Sequence, residues 1–460
     1  MKLTAGSGKA KADETLVRFF PKERREEIPA RVAEAEWSAA RNATLLLHHA
    51  NLLCVGLGEE AKIDAQTIRS AAAAAVRALQ KAGRLKAAFE LQKDWIEPAA
   101  TGALIGGYRF QDFKAKKQKL LQSLRLLTGS ASAMRRGEIL GWAANLAREI
   151  GNLPGNLLYP ETLAARARKI AKAENLGIEV LDEKRLRARG FGGIVAVGEG
   201  SARPPRFIVL RHRGGPKDEP PIVLVGKAIT FDTGGISIKP AANLEEMVFD
   251  KCGGMAVLGA MAGIARLKLK RNVIGLIAAA ENMPSATAYR PGDIVKTYDG
   301  TFVEIINTDA EGRMVLADAI AYARKDCKAG AIVDLATLTG ACVVALGEYA
   351  AGLWSTGDEL QSALLVAAKT SGERLWPMPL YDEYTEQIRS EVAAIKNTGG
   401  RWGGACTAAA FLKTFAGETP WAHLDIAPVA HTTRDRADLA RGATGFGARL
   451  LIEFAEKWRG

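Results

Sequence analysis

Ile222-Val223-Leu224-Val225-Gly226-Lys227-Ala228-Ile229-Thr230-Phe231-Asp232-Thr233-Gly234-Gly235 opens on an unbroken apolar run and closes on charge and glycine. Residues 222–227 read as a buried parallel strand, because a strand covered on both faces shows no apolar/polar alternation. Lys227 and Asp232 are then expected near the C-terminal end of that strand, where open α/β sheets bind ligands. A lysine closing an apolar strand must be paired, neutral or exposed. Gly234 and Gly235 allow backbone to approach such a site closely. From Ile178 onward strands alternate with helices, the pattern of a mostly parallel sheet covered by helices on both faces.

Downstream, Asn307-Thr308-Asp309-Ala310-Glu311-Gly312-Arg313 follows the β-rich run Val303-Glu304-Ile305-Ile306. On an extended backbone, residues two apart point to the same side, so Asp309 and Glu311 are expected to serve one shared site. With Asp232 and Asp250 they make four carboxylates, accompanied by Lys227 and Lys239. Crowded carboxylates repel and partly protonate unless cations neutralise them, and two divalent ions would do so. Plainer readings exist for single residues. Asp250 alone reads as a helix cap before Gly253-Gly254, and the acids of the heptapeptide as the first turn of a helix continuing through residues 314–320. Those readings account for one carboxylate at a time, not four. All five histidines, His48, His49, His212, His423 and His431, lie outside the carboxylate segments, so a histidine-rich zinc site or a histidine-based triad has no local support.

Several segments in order carry a family resemblance: Val225-Gly226-Lys227 through Lys239-Pro240, Glu281-Asn282-Met283-Pro284-Ser285, Arg290-Pro291-Gly292-Asp293, the heptapeptide, Asp334-Leu335-Ala336-Thr337-Leu338-Thr339-Gly340-Ala341, and Trp421-Ala422-His423-Leu424-Asp425-Ile426-Ala427. From about Leu52 to the C-terminus the chain resembles the leucyl aminopeptidase family of dinuclear-metal exopeptidases. The resemblance implies that Asp232 and Glu311 bridge two metal ions, that Asp309 completes the more exchangeable site, and that Lys227 and Asp250 complete the tighter one. It implies that Lys239 polarises the scissile carbonyl and that Arg313 holds a bicarbonate ion acting as general base. Carboxylate-rich ligation admits zinc, manganese or magnesium. In that scheme one ion anchors the substrate's free α-amine, so peptides with a free N-terminus are the expected substrates. Met247, Thr337 and Gly340 match positions lining the family's side-chain pocket, which implies an apolar preference; Met247 reads equally well as core filler. Lys251 stands where the family usually carries an apolar residue, often methionine. It points either to solvent or into the site, where it would alter substrate preference or metal affinity. Met314 in place of the usual leucine is a volume-conserving swap.

A chain of 460 residues with 48% apolar content can bury more than one core. Residues 1–128 read as a smaller, macro-like α/β domain, with Leu52–Gly58 a buried strand and residues 65–79 an alanine-rich amphipathic helix. Its first part looks shortened before Leu52, leaving its full sheet in question. Residues 129–150 read as a connecting helix, and residues 151–460 as the catalytic domain, entered through Asn152-Leu153-Pro154-Gly155-Asn156 and closed by a helix ending near Trp458. The five cysteines, Cys54, Cys252, Cys327, Cys342 and Cys406, form no CxxC pair, which suits reduced thiols in a cytoplasm. Cys252 is expected to be a packing residue rather than a reactive thiol. No apolar run is read as long enough to span a membrane, and the first residues lack a signal-peptide core. The family resemblance implies a homohexamer. The net charge of +12 keeps one alternative open, a nucleic-acid-binding oligomer using the basic runs at residues 114–119 and 184–189. Neither run has the interleaved aromatics of a single-strand binder, and a solvated face is the plainer reading of each. A two-metal phosphoesterase would also use carboxylates, but no phosphate-binding glycine loop is present.

Overall fold

The structure, a computed structural model, describes residues 1–6, 8–27, 37–127 and 130–459. Residues 128 and 129, at the expected border of the first domain and its connecting helix, lie outside the described residues. The chain divides into two compact units, residues 1–145 with 432–442, and residues 146–431 with 443–460.

The first unit carries six strands: β1 (Lys2–Gly6), β2 (Thr15–Pro21), β3 (Thr44–Leu47), β4 (Leu52–Gly58), β5 (Lys86–Glu90) and β6 (Ser123–Leu127). Their order is β1-β6-β5-β2-β4-β3. All neighbours are parallel except β3 and β4. Three strands precede Leu52, where the sequence left the sheet in question. Thr15–Pro21 is a strand because Val17 and Phe19 alternate onto the core side, where Phe19 meets Phe89 edge to face at 5.3 Å. The alanines of the helix Ala65–Lys81 have a packing reason. A Cβ on Gly102 would lie 1.9 Å from the Arg69 carbonyl oxygen, and one on Gly106 would lie 2.4 Å from that of Ala73. The helices Ala65–Lys81 and Ile96–Gly107 therefore touch backbone to backbone, which only small side chains permit. A further helix covers Ala131–Gly151.

The second unit is built on β7 (Gly177–Leu181), β8 (Arg206–Arg213), β9 (Ile222–Asp232), β10 (Asn272–Asn282), β11 (Ile294–Lys296), β12 (Phe302–Glu304), β13 (Ala331–Ala336), β14 (Ala351–Ser355), β15 (Leu375–Pro377), β16 (Ile395–Lys396) and β17 (Trp421–Asp425). Eight of them form one sheet in the order β15-β14-β17-β13-β9-β10-β8-β7. Its centre, β17-β13-β9-β10, is parallel throughout, and antiparallel pairs lie toward its edges. The strands β11, β12 and β16 make a small separate sheet, so the run before the heptapeptide is not part of the main one.

Strand β9 differs from its expected form in length. It continues to Asp232, and Lys227 sits in the middle of it, 2% exposed. One face of β9 places Val223, Val225 and Ile229 in the same core as Met314, Val315 and Ala319 of the helix Glu311–Lys325. The other face meets the helix Cys252–Leu267 so closely that a Cβ on Gly226 would lie 2.5 Å from the Gly254 Cα. That helix, with the turn before it, makes Leu244–Leu267 long and apolar enough to cross a membrane, which the sequence reading passed over. Its apolar window is 83% buried inside the fold, so it is a core helix.

Candidate active site

All four central parallel strands of the main sheet end at one place. Asp232 closes β9, Asn282 closes β10, Thr337 follows β13, and Asp425 closes β17. Lys227 and Asp232 are five residues apart, so on a regular strand they would face opposite sides of the sheet. Both reach the site because the β9–β10 register slips: from the Ala280–Ile229 pair to the Asn282–Asp232 pair, β9 advances three residues and β10 two. That bulge re-aims Asp232.

Asp309 and Glu311 also converge, by a different route from the one their spacing suggests. The backbone there is not extended: Asp309 lies in a turn, and Glu311 is the first residue of the helix Glu311–Lys325. The turn into the helix brings carboxylate oxygens of Asp232, Asp309 and Glu311 within 4.8 Å of one another. Lys227 Nζ lies 2.7 Å from Glu311 Oε1, 2.9 Å from Asp250 Oδ1, and donates to the Thr337 carbonyl at 2.9 Å. Lys239 Nζ lies 2.9 Å from Asp232 Oδ2 and pairs with Asp309. Thr337 Oγ1 donates to Asp250 Oδ1 at 2.7 Å.

The electrostatics follow from burial and an excess of acid, four carboxylates against two lysines. Burial pushes Glu311 up to about 8, with Asp232 repelling its charge, and pushes Asp250 up to about 6 against the pull of Lys227. Asp309 is raised by burial as well. Burial alone would lower Lys227 and Lys239, but the surrounding carboxylates outweigh it and hold both above the usual lysine range. Asp250 Oδ2 is buried with no hydrogen-bond partner among the described residues. An acid-rich, oxygen-donor pocket with a spare buried carboxylate oxygen fits divalent cations.

Arg313 is buried on the same helix. Its Nη1 donates to the Asn397 carbonyl at 2.8 Å, while its Nε has no partner among the described residues. Met247 lies in the short turn Leu244–Phe249 and is half-buried; its carbonyl accepts from Asp250 N. Gly340 opens the helix Gly340–Leu346, and a Cβ there would meet nothing within 4 Å.

Lys251 takes neither of the places open to it. It is fully buried, and its ammonium donates to the carbonyls of Leu153, at 3.0 Å, and Val248. Burial pushes the neighbouring Cys252 thiol up to about 12, so this thiol stays protonated and packs. None of the five cysteines is bonded to another.

Other residues of the site carried no signal for such a role. The Asn397 side chain accepts from Ile306 N at 2.8 Å and from Asn307 N at 3.3 Å, and donates to Asn307 O at 2.7 Å. It thereby fixes the approach to Asp309 while its own carbonyl holds Arg313. Ser237 and Thr308 clasp each other, each backbone N–H donating to the other's hydroxyl. Asp425 caps the segment after β13 through Leu338 N and Thr339 Oγ1. These partners are tens of residues apart in the chain, so no local pattern announces them.

The same architecture occurs in known proteins. Residues 145–452 match the cytosol aminopeptidase family, catalytic domain, and residues 7–117 match the N-terminal domain of that family. This chain belongs to the cytosol aminopeptidase family. A probable cytosol aminopeptidase of Roseiflexus castenholzii is 43% identical over 487 residues, covering 99% of each chain. One of Syntrophotalea carbinolica is 45% identical over 427 residues, 89% of this chain and 86% of the relative. Among solved structures, the bottromycin maturation enzyme BotP in complex with Mn aligns with a TM-score of 0.90 at 33% identity, over 97% of this chain and 99% of that one. The chain is therefore a peptidase, a metal-dependent aminopeptidase by family. The nucleic-acid alternative gains no support from these relatives or from the surface. The run at residues 184–189 is locally balanced, with Arg185 and Arg189 paired to Glu179, and Arg187 to Glu183 and Glu199. Lys114, Lys116, Lys117 and Lys119 are exposed, a solvated stretch.

Proposed function

We propose that this chain releases N-terminal residues, preferentially apolar ones, from peptides with a free α-amine, using two divalent cations held by Lys227, Asp232, Asp250, Asp309 and Glu311. The observation that carries this reading is the convergence of four carboxylates, two of them pushed up to about 6 and about 8, at the ends of the parallel strands. When bound, the cations supply Lewis acidity and a water of lowered pKa, and a bicarbonate ion on Arg313 supplies a general base. Zinc, manganese and magnesium all suit these donors, and the Mn complex of BotP favours manganese among them.

The remaining work belongs to the chain's own residues. Exposure separates the two lysines: the Lys227 side chain is 3% exposed and enclosed by its partners, whereas that of Lys239 is 22% exposed at the rim. Lys239 is thus the cation able to reach a scissile carbonyl and stabilise the charge that develops on its oxygen. Lys227 serves as a neutral amine ligand only once other positive charge replaces its own, because the carboxylates alone keep it protonated. The spare Nε of Arg313 is the donor that would seat an oxyanion. A bound cation would take the substrate's free α-amine as a neutral ligand, which would confine cleavage to the chain end. Met247, Thr337 and the open space at Gly340 would take the first side chain. The family likeness further supports a homohexamer in the cytosol.

The test is a panel of amino-acid amides offered to chelated enzyme, with zinc, manganese and magnesium restored separately and each substrate run free and N-acetylated. Chelation is expected to abolish turnover, at least one metal to restore it, and acetylated substrates to stay intact. Turnover that survives chelation, or equal rates on free and acetylated amides, would overturn the reading.

A further inference from the structure

We propose that Asn282 is the positioning residue that aims Asp232, so that Asp232 presents its Oδ2 oxygen alone to the bound cations. The inference rests on the two-cation reading and names a residue that reading does not use. Asn282 ends β10, pairs in register with Asp232 across the bulge, and is 1% exposed. Its Nδ2 donates to Asp232 Oδ1 at 2.8 Å and to the Thr308 carbonyl at 3.1 Å. Both partners are acceptors without a proton to give, so the amide nitrogen, not the oxygen, must face them.

Asp232 Oδ1 also accepts the Gly234 N–H at 2.8 Å. Two neutral donors therefore occupy Oδ1, while Oδ2 faces the ammonium of Lys239 at 2.9 Å. Neutrality matters here. A cationic donor in place of Asn282 would offset the charge that draws cations, and an acidic residue would repel Asp232.

The same amide reaches the second ligand segment. Thr308 immediately precedes Asp309, and its carbonyl also accepts the buried Tyr289 hydroxyl at 2.9 Å. One side chain thus ties the end of β9 to the turn that carries Asp309 and leads into the helix opened by Glu311. The loop between is shaped to suit: Gly235 has φ +69°, and a Cβ there would lie 2.8 Å from Asn282 Oδ1. Partners that orient a metal ligand from outside the coordination sphere typically contribute about 10–100-fold to metal affinity.

The experiment titrates chelated full-length protein with Mn²⁺ by calorimetry, comparing wild type, Asn282→Leu, which keeps the branched side-chain shape without a donor, and Asn282→Ala. Val209→Ala in β8, a buried core position away from the site, controls for lost stability, with melting temperatures recorded throughout. The expected result is Mn²⁺ binding weakened about 10–100-fold in both Asn282 variants and unchanged in Val209→Ala despite its lower melting temperature. Wild-type affinity in the Asn282 variants, or equal weakening in Val209→Ala, overturns the positioning role and leaves the two-cation reading standing. Wild type that takes up none of Mn²⁺, Zn²⁺ and Mg²⁺ overturns both.

Discussion

Lys227 and Lys251 are both buried to within 2% of full enclosure, yet their surroundings drive them in opposite directions. Lys227 faces the carboxylates of Asp250 and Glu311, whereas the hydrogen bonds of Lys251 go to the backbone carbonyls of Leu153 and Val248. Burial disfavours an ammonium in both places. Around Lys227 the carboxylates reverse that effect and hold its pKa above the usual range; around Lys251 burial prevails and brings it down to about 8. Burial sets the cost of a charge, and the partners decide whether the site wants it. Only the first region has acid to spare, which marks it as the one built to take up further positive charge.

Three lysine substitutions test this contrast. Lys227→Met removes a proposed ligand and leaves Asp250 and Glu311 buried without their cation, so kcat/KM is expected to fall by more than the roughly 100-fold that loss of an outer partner causes. Near-wild-type turnover in that variant would erase the distinction between the two regions. Lys239→Met keeps the ligands but removes the rim cation; kcat should drop about 10²–10³-fold with metal stoichiometry unchanged, and steady-state kinetics paired with metal analysis would show it. Lys251→Met replaces a buried ammonium by an apolar chain of similar length. Stability is expected to fall by no more than about 2–6 kcal/mol, the range set by leaving two carbonyls without their donor at about 1–3 kcal/mol each, and turnover to stay near that of wild type. A collapse of activity in denaturant-matched Lys251→Met would show that Lys251 belongs to the site after all.

Legibility differed with the range of the interactions. The apolar run before Lys227 and the heptapeptide Asn307–Arg313 were readable because strand burial and acid clustering leave local marks. Asp309 and Glu311 were brought to one site as expected, but by a turn into a helix rather than an extended strand, and two-residue spacing cannot tell these apart. The place of Lys227 in mid-strand was missed because its charge looks like a strand end, and the partners that tolerate it, Asp250 and Glu311, lie 23 and 84 residues further along the chain. Asn397 and Ser237 were silent for the same reason: an asparagine or serine in a loop is usually a turn former, and only folding shows which backbone groups it satisfies.

Composition and order of residues settled the class of this protein before any coordinate. Apolar runs with glycine-rich endings demand an α/β core, and four acids beside two lysines demand cations, since both follow from the chemistry of side chains and their neighbours. Tertiary structure alone decided how that chemistry is aimed. The odd spacing of Lys227 and Asp232 would put them on opposite faces of a sheet, and it took one extra residue in β9 against β10 to turn both toward the same site. Lys251, one residue from Asp250, was turned instead toward backbone carbonyls. A strand's alternation is a local rule, but the slip that breaks it exists only between two strands.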